Sequence, residues 1–427
     1  MTASPFPVTV RHPGSDEDSQ HRHESLAVAL RLADELSDEF VVDSARRERD
    51  GATLLPLLRR IEESGLLAVT VPIEHGGPGA PPSTRVEIMR RLARADSSIG
   101  QSLLPHFVAT EAISGLGQNA PAPEIFADVM AGGRLGNAAA ERGTKSTLDL
   151  RTTIRQGSDG TWVIDGTKYY ATGAQGATWI AVVAVVDEGT GQAGTETAIA
   201  FVRPDQPGVE LDLGRWAAFG QRGTASGEVR LRHTVVENQY VLRQGPPPEV
   251  SAEGPTDLTG TYDQALHTAI DVGIARAALE DGATFVNTRS RPWQEAVMAG
   301  IEHANLEPHV VRRFGELTAR LWAMEALLNR GTALLDDGFA NPSAAVAAEA
   351  TFTVAAAKAL AQEFAVEIAS GIFELTGTSG TDAEANLDRH WRNVRTHSLH
   401  DPARWKYVHL GNHVLRGTPA PRLSLYY

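Results

Sequence analysis

The sequence predicts an α+β protein in which a central β domain lies between two helical units. In residues 26–133, apolar residues recur at the spacing of amphipathic helices. In residues 134–242, the pattern changes to short β-branched segments separated by Gly, Asp and Pro turns. Residues 261–427 return to long, alanine-rich helical segments. Few architectures have this order of helical unit, β domain and helical unit.

Composition narrows the class of protein. The 427 residues suffice for two or three packed units, and 42% hydrophobic with 22% charged residues is typical of an ordinary globular protein. The net charge of −14 argues against nucleic acid as a partner. The chain has no cysteine, which excludes disulfides, thiolate metal sites and a cysteine nucleophile.

The start of the chain carries no targeting signal that we recognise. Residues 1–25 are rich in Pro, Ser, Asp and His, and we expect them to be disordered. They lack the apolar core of a signal peptide. Because no run approaches the ~20 apolar residues of a membrane span, we expect a cytoplasmic protein with no membrane partner.

The first helical unit has three periodic segments, 26–50, 52–69 and 85–100, and a Gly/Pro loop at 71–83. The central unit has short apolar segments that predict a β-sandwich or barrel; they are 161–173, 178–187, 197–203, 208–212 and 227–236. One loop there, Gly189, Gly191 and Gly194, matches G-x-G-x-x-G. A strand pattern follows it where a dinucleotide site needs a helix, so we do not assign NAD binding.

A Pro/Gly/acidic segment, residues 243–260, predicts a linker that is either a lid or a tether. The helical patterns after it, 262–289, 308–338 and 342–377, predict a four-helix bundle.

The densest cluster of reactive side chains lies in residues 386–406. A break falls at Asp401-Pro402, because the residue before a proline is pushed out of the helical region. The pattern predicts Asp401 as an N-cap and Pro402 as the first residue of a new helix. The resulting loop between two helices presents His400. The pattern of His397, His400 and Asp401 could bind a cation. A metal site there needs a further well-placed ligand, which is not evident in the sequence, and we assign no metal.

Several motifs carry a family resemblance. The order of units, with GLLAVTVPIEHGGPGA at 65–80 and DGTKYYATGAQGATWIAVVA at 165–184, resembles the acyl-CoA dehydrogenase superfamily over about residues 26–417. The string DRHWRNVRTHSLHDPARWK resembles its flavin-dependent monooxygenase branch, that of the dibenzothiophene monooxygenases and sulfur-acquisition oxidoreductases. The resemblance implies an acyl-CoA dehydrogenase-like fold.

The resemblance also implies roles for residues of the β domain. Tyr170 falls where an aromatic ring packs on the isoalloxazine, and Thr172 where a hydroxyl hydrogen-bonds near flavin N5. Asn137, Ala139 and Ala140 fall at a strand end that contacts the flavin. By composition alone, Tyr170 and Thr172 are simply good strand residues.

The remaining implied site residues come from the helical units. The resemblance places His106 and His400 beside the flavin as catalytic residues, and His397 and Asp401 as supporting residues. A lone histidine in an apolar helix is more often a satisfied core residue, and inter-helix hydrogen bonding is an equal alternative for His397. The resemblance also places Arg291 at the flavin phosphate, although it could be a solvated loop charge. For Arg289, the flavin phosphate and a solvated loop charge are equally good explanations. Gly377 and Gly380 fall at a turn that contacts the cofactor, and they also fit a helix C-cap.

The function implied is a two-component monooxygenase. A separate reductase supplies FMNH2, O2 forms a C4a-hydroperoxyflavin, and oxygen passes to a small apolar organosulfur compound. FAD in place of FMN stays open, and a homotetramer is expected. The alternatives are N- or ring hydroxylation, an acyl-CoA dehydrogenase with FAD, and a flavin-free scaffold. An acyl-CoA dehydrogenase needs a carboxylate base to remove the α-proton of its substrate. The corresponding position falls on Asp401, which the N-cap already explains without catalysis, so we expect no dehydrogenase activity.

Overall fold

The computed structural model describes residues 16–119, 121–147, 149–188, 196–244 and 257–420. The first helical unit consists of α1 Asp16–Val41, α2 Ser44–Asp50, α3 Leu55–Ser64, α4 Pro82–Ala95, α5 Ser97–Ser114 and α6 Ala122–Met130. The strands are β1 Leu135–Ala138, β2 Thr153–Gln156, β3 Trp162–Lys168, β4 Trp179–Val186, β5 Thr197–Val202, β6 Val209–Asp212, β7 Glu228–Val236 and β8 Val241–Gln244. The second helical unit consists of α7 Thr259–Thr288, α8 Gln294–Met298, α9 Pro308–Ala340, α10 Ala344–Thr376, α11 Asp388–His397 and α12 Ala403–Arg416.

The predicted fold class is confirmed, with one difference at the start of the chain. Helix α1 begins at Asp16, inside the segment 1–25 that the composition predicts to be disordered. The helix is anchored by a buried apolar stripe, Ala29, Ala33, Leu36 and Phe40, at helical spacing. Residues 1–15 lie outside the described residues.

The β domain is a single eight-stranded sheet rather than two packed sheets. Its strand order is β6-β7-β3-β2-β4-β5-β8, and β1 pairs with β4 in parallel. Both faces of β4 are buried, with Ile180 and Val182 in the core of the β domain and Trp179 and Ala181 packed against α6. The alternation follows from the two-residue repeat of a strand.

The glycine-rich G-x-G-x-x-G loop and most of the predicted linker fall outside the described residues. The strands that flank the loop, β4 and β5, are antiparallel neighbours in the sheet. A strand therefore follows the loop, as the sequence indicated, and not the helix that a dinucleotide site requires. Of the linker, only its first two and last four residues, 243–244 and 257–260, are described.

The two helical units share one core. Helix α7 packs on α4 and α5 of the first unit and on α9 and α10 of the second, while α11 and α12 pack against α10. Among the described helices, α10 is long and apolar enough by composition to cross a membrane, but half of its apolar window is buried. Its apolar residues, which include Ala350, Ala361 and Ile368, form the core of the bundle.

Candidate active site

The turn after β3 is pressed against helix α5. Tyr170 has a left-handed backbone, with φ of 56°, and its side chain is 45% exposed. Gly173 lies so close to α5 that a Cβ atom would sit 2.4 Å from the Ser102 carbonyl oxygen. The fully buried guanidinium of Arg134 donates to the carbonyls of Gly173 over 2.5 Å and Gln175 over 2.6 Å. These contacts fix the backbone that follows Thr172.

A chain of hydroxyl groups runs from Thr172 into the next loop. Ser226 Oγ donates to Thr224 Oγ1 over 2.9 Å, and Thr224 Oγ1 donates to the Gln221 carbonyl over 2.9 Å. Thr172 Oγ1 and Ser226 Oγ are 2.9 Å apart. Because the Ser226 proton is already used, the single Thr172 proton is shared between Ser226 Oγ and the Tyr170 carbonyl oxygen, which is 3.3 Å away. The lone pairs of Thr172 Oγ1 therefore remain available to accept a hydrogen bond.

The same loop joins the β domain to α11. The Gln221 amide donates to Asn393 Oδ1 over 2.7 Å, and the Trp216 indole donates to the Gln221 carbonyl over 2.8 Å. Asn393 is one helical turn before His397, and both are buried. The Thr172 turn and the histidine-rich junction are therefore tied to one another through a continuous set of hydrogen bonds.

Three amide side chains near this junction hold buried polar atoms without a hydrogen-bond partner among the described residues. They are Gln101 Oε1 on α5, Asn137 Oδ1 on β1, and both polar atoms of the Gln221 side chain. The Asn137 backbone amide donates to the Thr172 carbonyl over 3.1 Å, which places β1 beside the turn. Buried polar groups in proteins are normally hydrogen-bonded, so these amides have hydrogen-bonding capacity left for a ligand or water.

At the other end of the site, His400 stacks on a buried histidine of α7. The rings of His400 and His267 lie 4.0 Å apart at 30°. The His400 side chain is 34% exposed, and its Nδ1 is 3.6 Å from Asp401 Oδ1. The loop between α11 and α12 thus presents His400 at the surface of the junction, as the sequence predicted.

Behind His400 lies a buried row of hydrogen bonds. His267 Nδ1 is 2.9 Å from His397 Nε2, and His397 Nδ1 is 2.5 Å from Asp271 Oδ1. Asp271 Oδ2 accepts from Lys358 Nζ over 3.2 Å. Burial lowers the pKa of both His267 and His397, so both rings are neutral near pH 7. His397 therefore makes the inter-helix hydrogen bonds that were one of its two alternatives.

The structure places His106 in the protein core. Its imidazole is fully buried in α5, where Nδ1 accepts from the Leu135 amide over 3.3 Å. Nε2 lies 3.2 Å from Thr70 Oγ1 and 3.3 Å from the Leu67 carbonyl oxygen. Burial lowers the pKa of His106 to about 3. With both nitrogens engaged inside the protein, His106 holds α5 to β1, and its role beside a cofactor stays a prediction.

The prediction that Asp401 caps helix α12 is wrong. The structure has Pro402 at the N-cap, with no side-chain capping hydrogen bond. The Asp401 carboxylate turns inward instead, 3.2 Å from Lys406 Nζ and 3.9 Å from Lys358 Nζ. Burial opposes ionisation, but His400 and the two lysines hold the pKa of Asp401 well below its usual range. The buried ion pairs of Asp401 stabilise the fold more than an N-cap hydrogen bond would, because water can replace the cap.

The other predicted residues lie at separate places. Ala139 and Ala140 follow β1, where their carbonyls accept from Lys168 Nζ over 3.1 Å and the Tyr169 amide over 2.9 Å. Arg289 and Arg291 are exposed after α7, with Arg289 over the Phe285 ring. Gly377 is the C-cap of α10, and Gly380 is buried in the turn that follows. The contacts of Arg291 and these glycines with a cofactor remain predictions.

No metal ligand set forms at the junction in the part of the chain that the structure describes. Both nitrogens of His397 are engaged with Asp271 and His267. The pattern of His397, His400 and Asp401 therefore does not converge on one point.

Sequence reasoning missed the residues of α7 and α10 that complete the junction. Asp263, His267 and Asp271 are spaced four apart in an otherwise apolar helix, so they share one face. Lys358 is the single charge in the apolar alanine-rich stretch 350–362 of α10. A search for polar residues at helical spacing within apolar helices would have found both signals.

Four aromatic side chains lie on the Thr172 turn, on the loop before β7 and on α11. Trp216 lies edge-on to Tyr170, with ring centroids 6.1 Å apart, and Phe219 stacks on Trp391 at 5.8 Å. Phe219 is 51% and Trp391 38% exposed. These four residues, named here the aromatic rim, present an apolar surface next to the Thr172 turn.

Comparison with known proteins places the chain among acyl-CoA dehydrogenase sequences. Family models match the acyl-CoA dehydrogenase N-terminal domain at residues 24–132, the middle domain at 136–234 and the C-terminal domain at 265–405. The three models together match most of both helical units and of the sheet.

Individual relatives are similar over nearly their whole length. The chain is 32% identical to the dibenzothiophene monooxygenase of Rhodococcus qingshengii, covering 98% of each sequence. It is 30% identical to a probable FMNH2-dependent monooxygenase, SfnC, of Pseudomonas putida, covering 92% of this chain and 96% of the relative. Among solved structures, TdsC from Paenibacillus sp. A11-2 with FMN and indole superposes with a TM-score of 0.84 at 30% identity, covering 93% of this chain and 99% of that one.

Proposed function

This chain belongs to the acyl-CoA dehydrogenase family, and we propose that it is a reduced-flavin-dependent monooxygenase that oxygenates a small apolar organosulfur compound. The cofactor is FMN, used in its reduced form. The relatives that support this proposal are a dibenzothiophene monooxygenase, a probable FMNH2-dependent monooxygenase and an FMN-bound structure.

The observation that carries the proposal is the direction of the hydrogen bonds at Thr172. Its hydroxyl donates to Ser226, so its oxygen is left as an acceptor. A flavin carries a hydrogen on N5 only when reduced, and that hydrogen matches an acceptor at this position. The site is therefore suited to the reduced cofactor.

The unpartnered amides near Thr172 fit the remaining polar edge of a flavin. The isoalloxazine edge has both donors and acceptors, and amide side chains can supply either. Asn137 Oδ1 and the Gln221 amide are buried and unpartnered among the described residues. Tyr170, with its exposed ring on a fixed turn, is placed to pack against the ring system. Reduced FMN, when bound there, would supply the two electrons that activate O2.

The protein's own part is positioning, exclusion of water and proton transfer. The overall reaction balances when one sulfide, one O2 and one FMNH2 give one sulfoxide, one FMN and one water. His400 is the partly exposed imidazole at the junction, and its ring nitrogens can donate or accept a hydrogen bond at the substrate. No residue needs to form a covalent bond with the substrate.

The aromatic rim supports an apolar substrate. Aromatic rings contribute large apolar contact areas and stack with planar partners. Phe219 and Trp391 already stack on each other at 5.8 Å. A planar sulfur heterocycle presents the same kind of surface. A second candidate, ring hydroxylation of a nitrogen heterocycle, is favoured by the indole bound in the TdsC structure.

The structure argues against α,β-dehydrogenation of an acyl thioester. The carboxylate at the position of the dehydrogenase base, Asp401, is only 4% exposed. It is held between Lys358 and Lys406. A base that must remove a substrate proton needs contact with the substrate, and this carboxylate is turned into the bundle.

The proposal includes a separate reductase, because the reaction consumes FMNH2 that the chain must obtain from a partner. It also includes a cytoplasmic homotetramer. Large apolar side chains exposed on the second helical unit support an oligomer; they are Trp322 on α9 and Trp405, Val414 and Leu415 on α12.

The test supplies FMNH2 and ¹⁸O2 to the purified chain with dibenzothiophene, with indole or with butyryl-CoA. We expect one ¹⁸O atom in a sulfoxide product. Labelled product from indole alone would favour the second candidate. Anaerobic reduction of bound FAD by butyryl-CoA, with no labelled product, would overturn the proposal.

A further inference from the structure

Arg134, immediately before β1, is a fully buried cation that the proposed reaction does not use. The guanidinium group of an arginine stays charged in proteins. Burying such a charge costs free energy unless the charge is paired and hydrogen-bonded. The partners of Arg134 therefore indicate what this charge does beside the Thr172 turn.

Each nitrogen of the guanidinium group has its own partner. Nη1 donates to the Gly173 carbonyl over 2.5 Å, and Nη2 donates to the Gln175 carbonyl over 2.6 Å. Nε donates to Glu62 Oε1 on α3 over 2.9 Å. The planar fork of an arginine holds all three acceptors at fixed angles, and the compact ammonium group of a lysine does not reproduce this arrangement.

The backbone of the turn explains why these carbonyls need a side-chain donor. Gly173 and Gly176 have left-handed backbones, with φ of 70° and 69°, so the turn departs from strand geometry. Among the described residues, no backbone amide donates to the carbonyl of Gly173 or Gln175. A buried carbonyl without a donor is costly. Arg134 therefore supplies the donors that the backbone of the turn lacks.

The same segment also holds the residue before these carbonyls. The Asn137 amide donates to the Thr172 carbonyl over 3.1 Å. Arg134 and Asn137 thus hold the turn to β1 through its carbonyl groups. Because the Thr172 side chain projects from the backbone between these contacts, the position of its hydroxyl oxygen depends on them. The contact with Ser226 then orients the hydroxyl group.

We propose that Arg134 is a positioning residue for reduced flavin, because it holds the turn in which the Thr172 hydroxyl oxygen accepts the N5 hydrogen. Arg134 acts through the carbonyls of the turn, and Glu62 orients and neutralises its guanidinium group from α3. This inference rests on the proposed function, in which Thr172 is the acceptor. Since only the reduced flavin carries a hydrogen on N5, a displaced Thr172 oxygen weakens the binding of FMNH2 and not that of FMN.

The first test compares the two redox states of the flavin. The dissociation constants of FMN in air and of FMNH2 without oxygen are measured for the original protein and for Arg134→Lys. We expect the constant for FMNH2 to rise about five- to tenfold, the loss of one hydrogen bond, and the constant for FMN to change little. An equal rise for both states would mean that Arg134 only supports the fold, and would overturn the proposal.

Arg85→Lys is the matched control. Arg85 is also buried, with an exposure of 6%. It donates to the Ala80 carbonyl over 2.7 Å and pairs with Glu111, so it has the same kinds of partner outside the Thr172 turn. The preference for FMNH2 should therefore be that of the original protein. A loss of this preference in Arg85→Lys as large as in Arg134→Lys would also count against the proposal.

A cycle with Thr172→Val tests whether Arg134 acts through the hydroxyl group. In a chain that already lacks this oxygen, Arg134→Lys should cause no further loss of the preference for FMNH2. Additive losses would overturn the proposal. A loss in Thr172→Val with none in Arg134→Lys would overturn this proposal alone. An unchanged preference in Thr172→Val would overturn the acceptor role in the proposed function, and this proposal with it.

A second measurement needs no flavin. Hydrogen exchange of the backbone amides is followed by mass spectrometry in the flavin-free chain. Residues 171–178 should exchange faster in Arg134→Lys and in Glu62→Gln, a milder change because Glu62 is 18% exposed. Residues 350–362 of buried α10 should exchange as in the original protein, which shows that the variants are folded. Unchanged exchange of the turn in both variants would overturn the proposal, whatever the chain does with flavin.

Discussion

His397 donates a hydrogen bond from Nδ1 to the Asp271 carboxylate over 2.5 Å, and this contact joins α11 to α7 beneath the candidate active site. The second oxygen of the same carboxylate accepts from Lys358 on α10 over 3.2 Å. Asp271 and Lys358 are both fully buried. A single carboxylate thus orients one histidine and neutralises one lysine.

Replacing Asp271 should therefore destabilise the protein strongly. Asp271→Asn leaves the Lys358 ammonium buried without its partner, and breaking such a pair costs about 3–5 kcal/mol. The double variant Asp271→Asn/Lys358→Met removes both charges and should recover most of that loss. Urea unfolding of the two variants and of Lys358→Met completes the cycle. A loss of stability no greater in the single variant than in the double one would contradict the pairing.

The buried His106 should make stability depend on pH. Burial lowers its pKa to about 3, whereas in the unfolded chain it is an ordinary imidazole near 6.5. Between these values the unfolded state binds a proton that the folded state does not. The stability is therefore fully present above about pH 6.5 and is lost as the pH falls towards 3, by at most ~1.4 kcal/mol per pH unit.

His106→Asn tests this dependence. The Oδ1 atom of asparagine can still accept from the Leu135 amide, but the side chain does not titrate. Urea midpoints measured across the acid range should fall less steeply with pH in the variant. Identical slopes, together with a loss of flavin binding, would instead support the prediction that His106 serves the cofactor.

Thr172 should contribute to the affinity for reduced flavin through its hydroxyl oxygen. Thr172→Val keeps the shape and removes the acceptor, so FMNH2 should bind about five- to tenfold more weakly, the loss of one hydrogen bond of ~1–1.5 kcal/mol. Thr172→Ser should bind like the original protein. Thr234→Val is the control, since Thr234 Oγ1 is buried on β7 without a described partner. Equal affinities for Thr172→Val and Thr234→Val would remove Thr172 from the site.

The aromatic rim should discriminate between planar and small aliphatic sulfides. Trp391→Ala removes a ring that stacks on Phe219, so the KM for dibenzothiophene should rise about fivefold, from a stacking contribution of ~1 kcal/mol. The KM for dimethyl sulfide should stay unchanged, as should both values in Trp293→Ala, whose side chain is 67% exposed. Equal effects on both sulfides would mean that the rim is structural.

The sequence predicted the architecture because the change between helical and strand periodicity is strong and local. It also located His400, because the Asp401-Pro402 break marks the loop. It mistook the role of Asp401, since capping is a local preference and the buried lysines that turn the carboxylate inward come from α10 and α12. The partners of the histidine row are over 100 residues apart in the chain, so no local pattern pairs His267 with His397.

His106 illustrates the opposite case. Its buried hydrogen bonds fit the general expectation for a lone histidine in an apolar helix, and the role that the family resemblance implies for it stays a prediction. Its two hydrogen bonds reach β1 and the turn at 66–70, which only the folded structure brings together. Residue type and position along the chain do not determine which way such a ring faces.

The most direct test of the monooxygenase account is to add oxygen to an anaerobic mixture of the purified protein and FMNH2 and to follow the flavin absorbance. We predict an oxygenated flavin species that outlives the one formed by free FMNH2, and that decays faster with release of hydrogen peroxide in His400→Ala. Reoxidation of the flavin at the same rate with and without the protein would contradict the account.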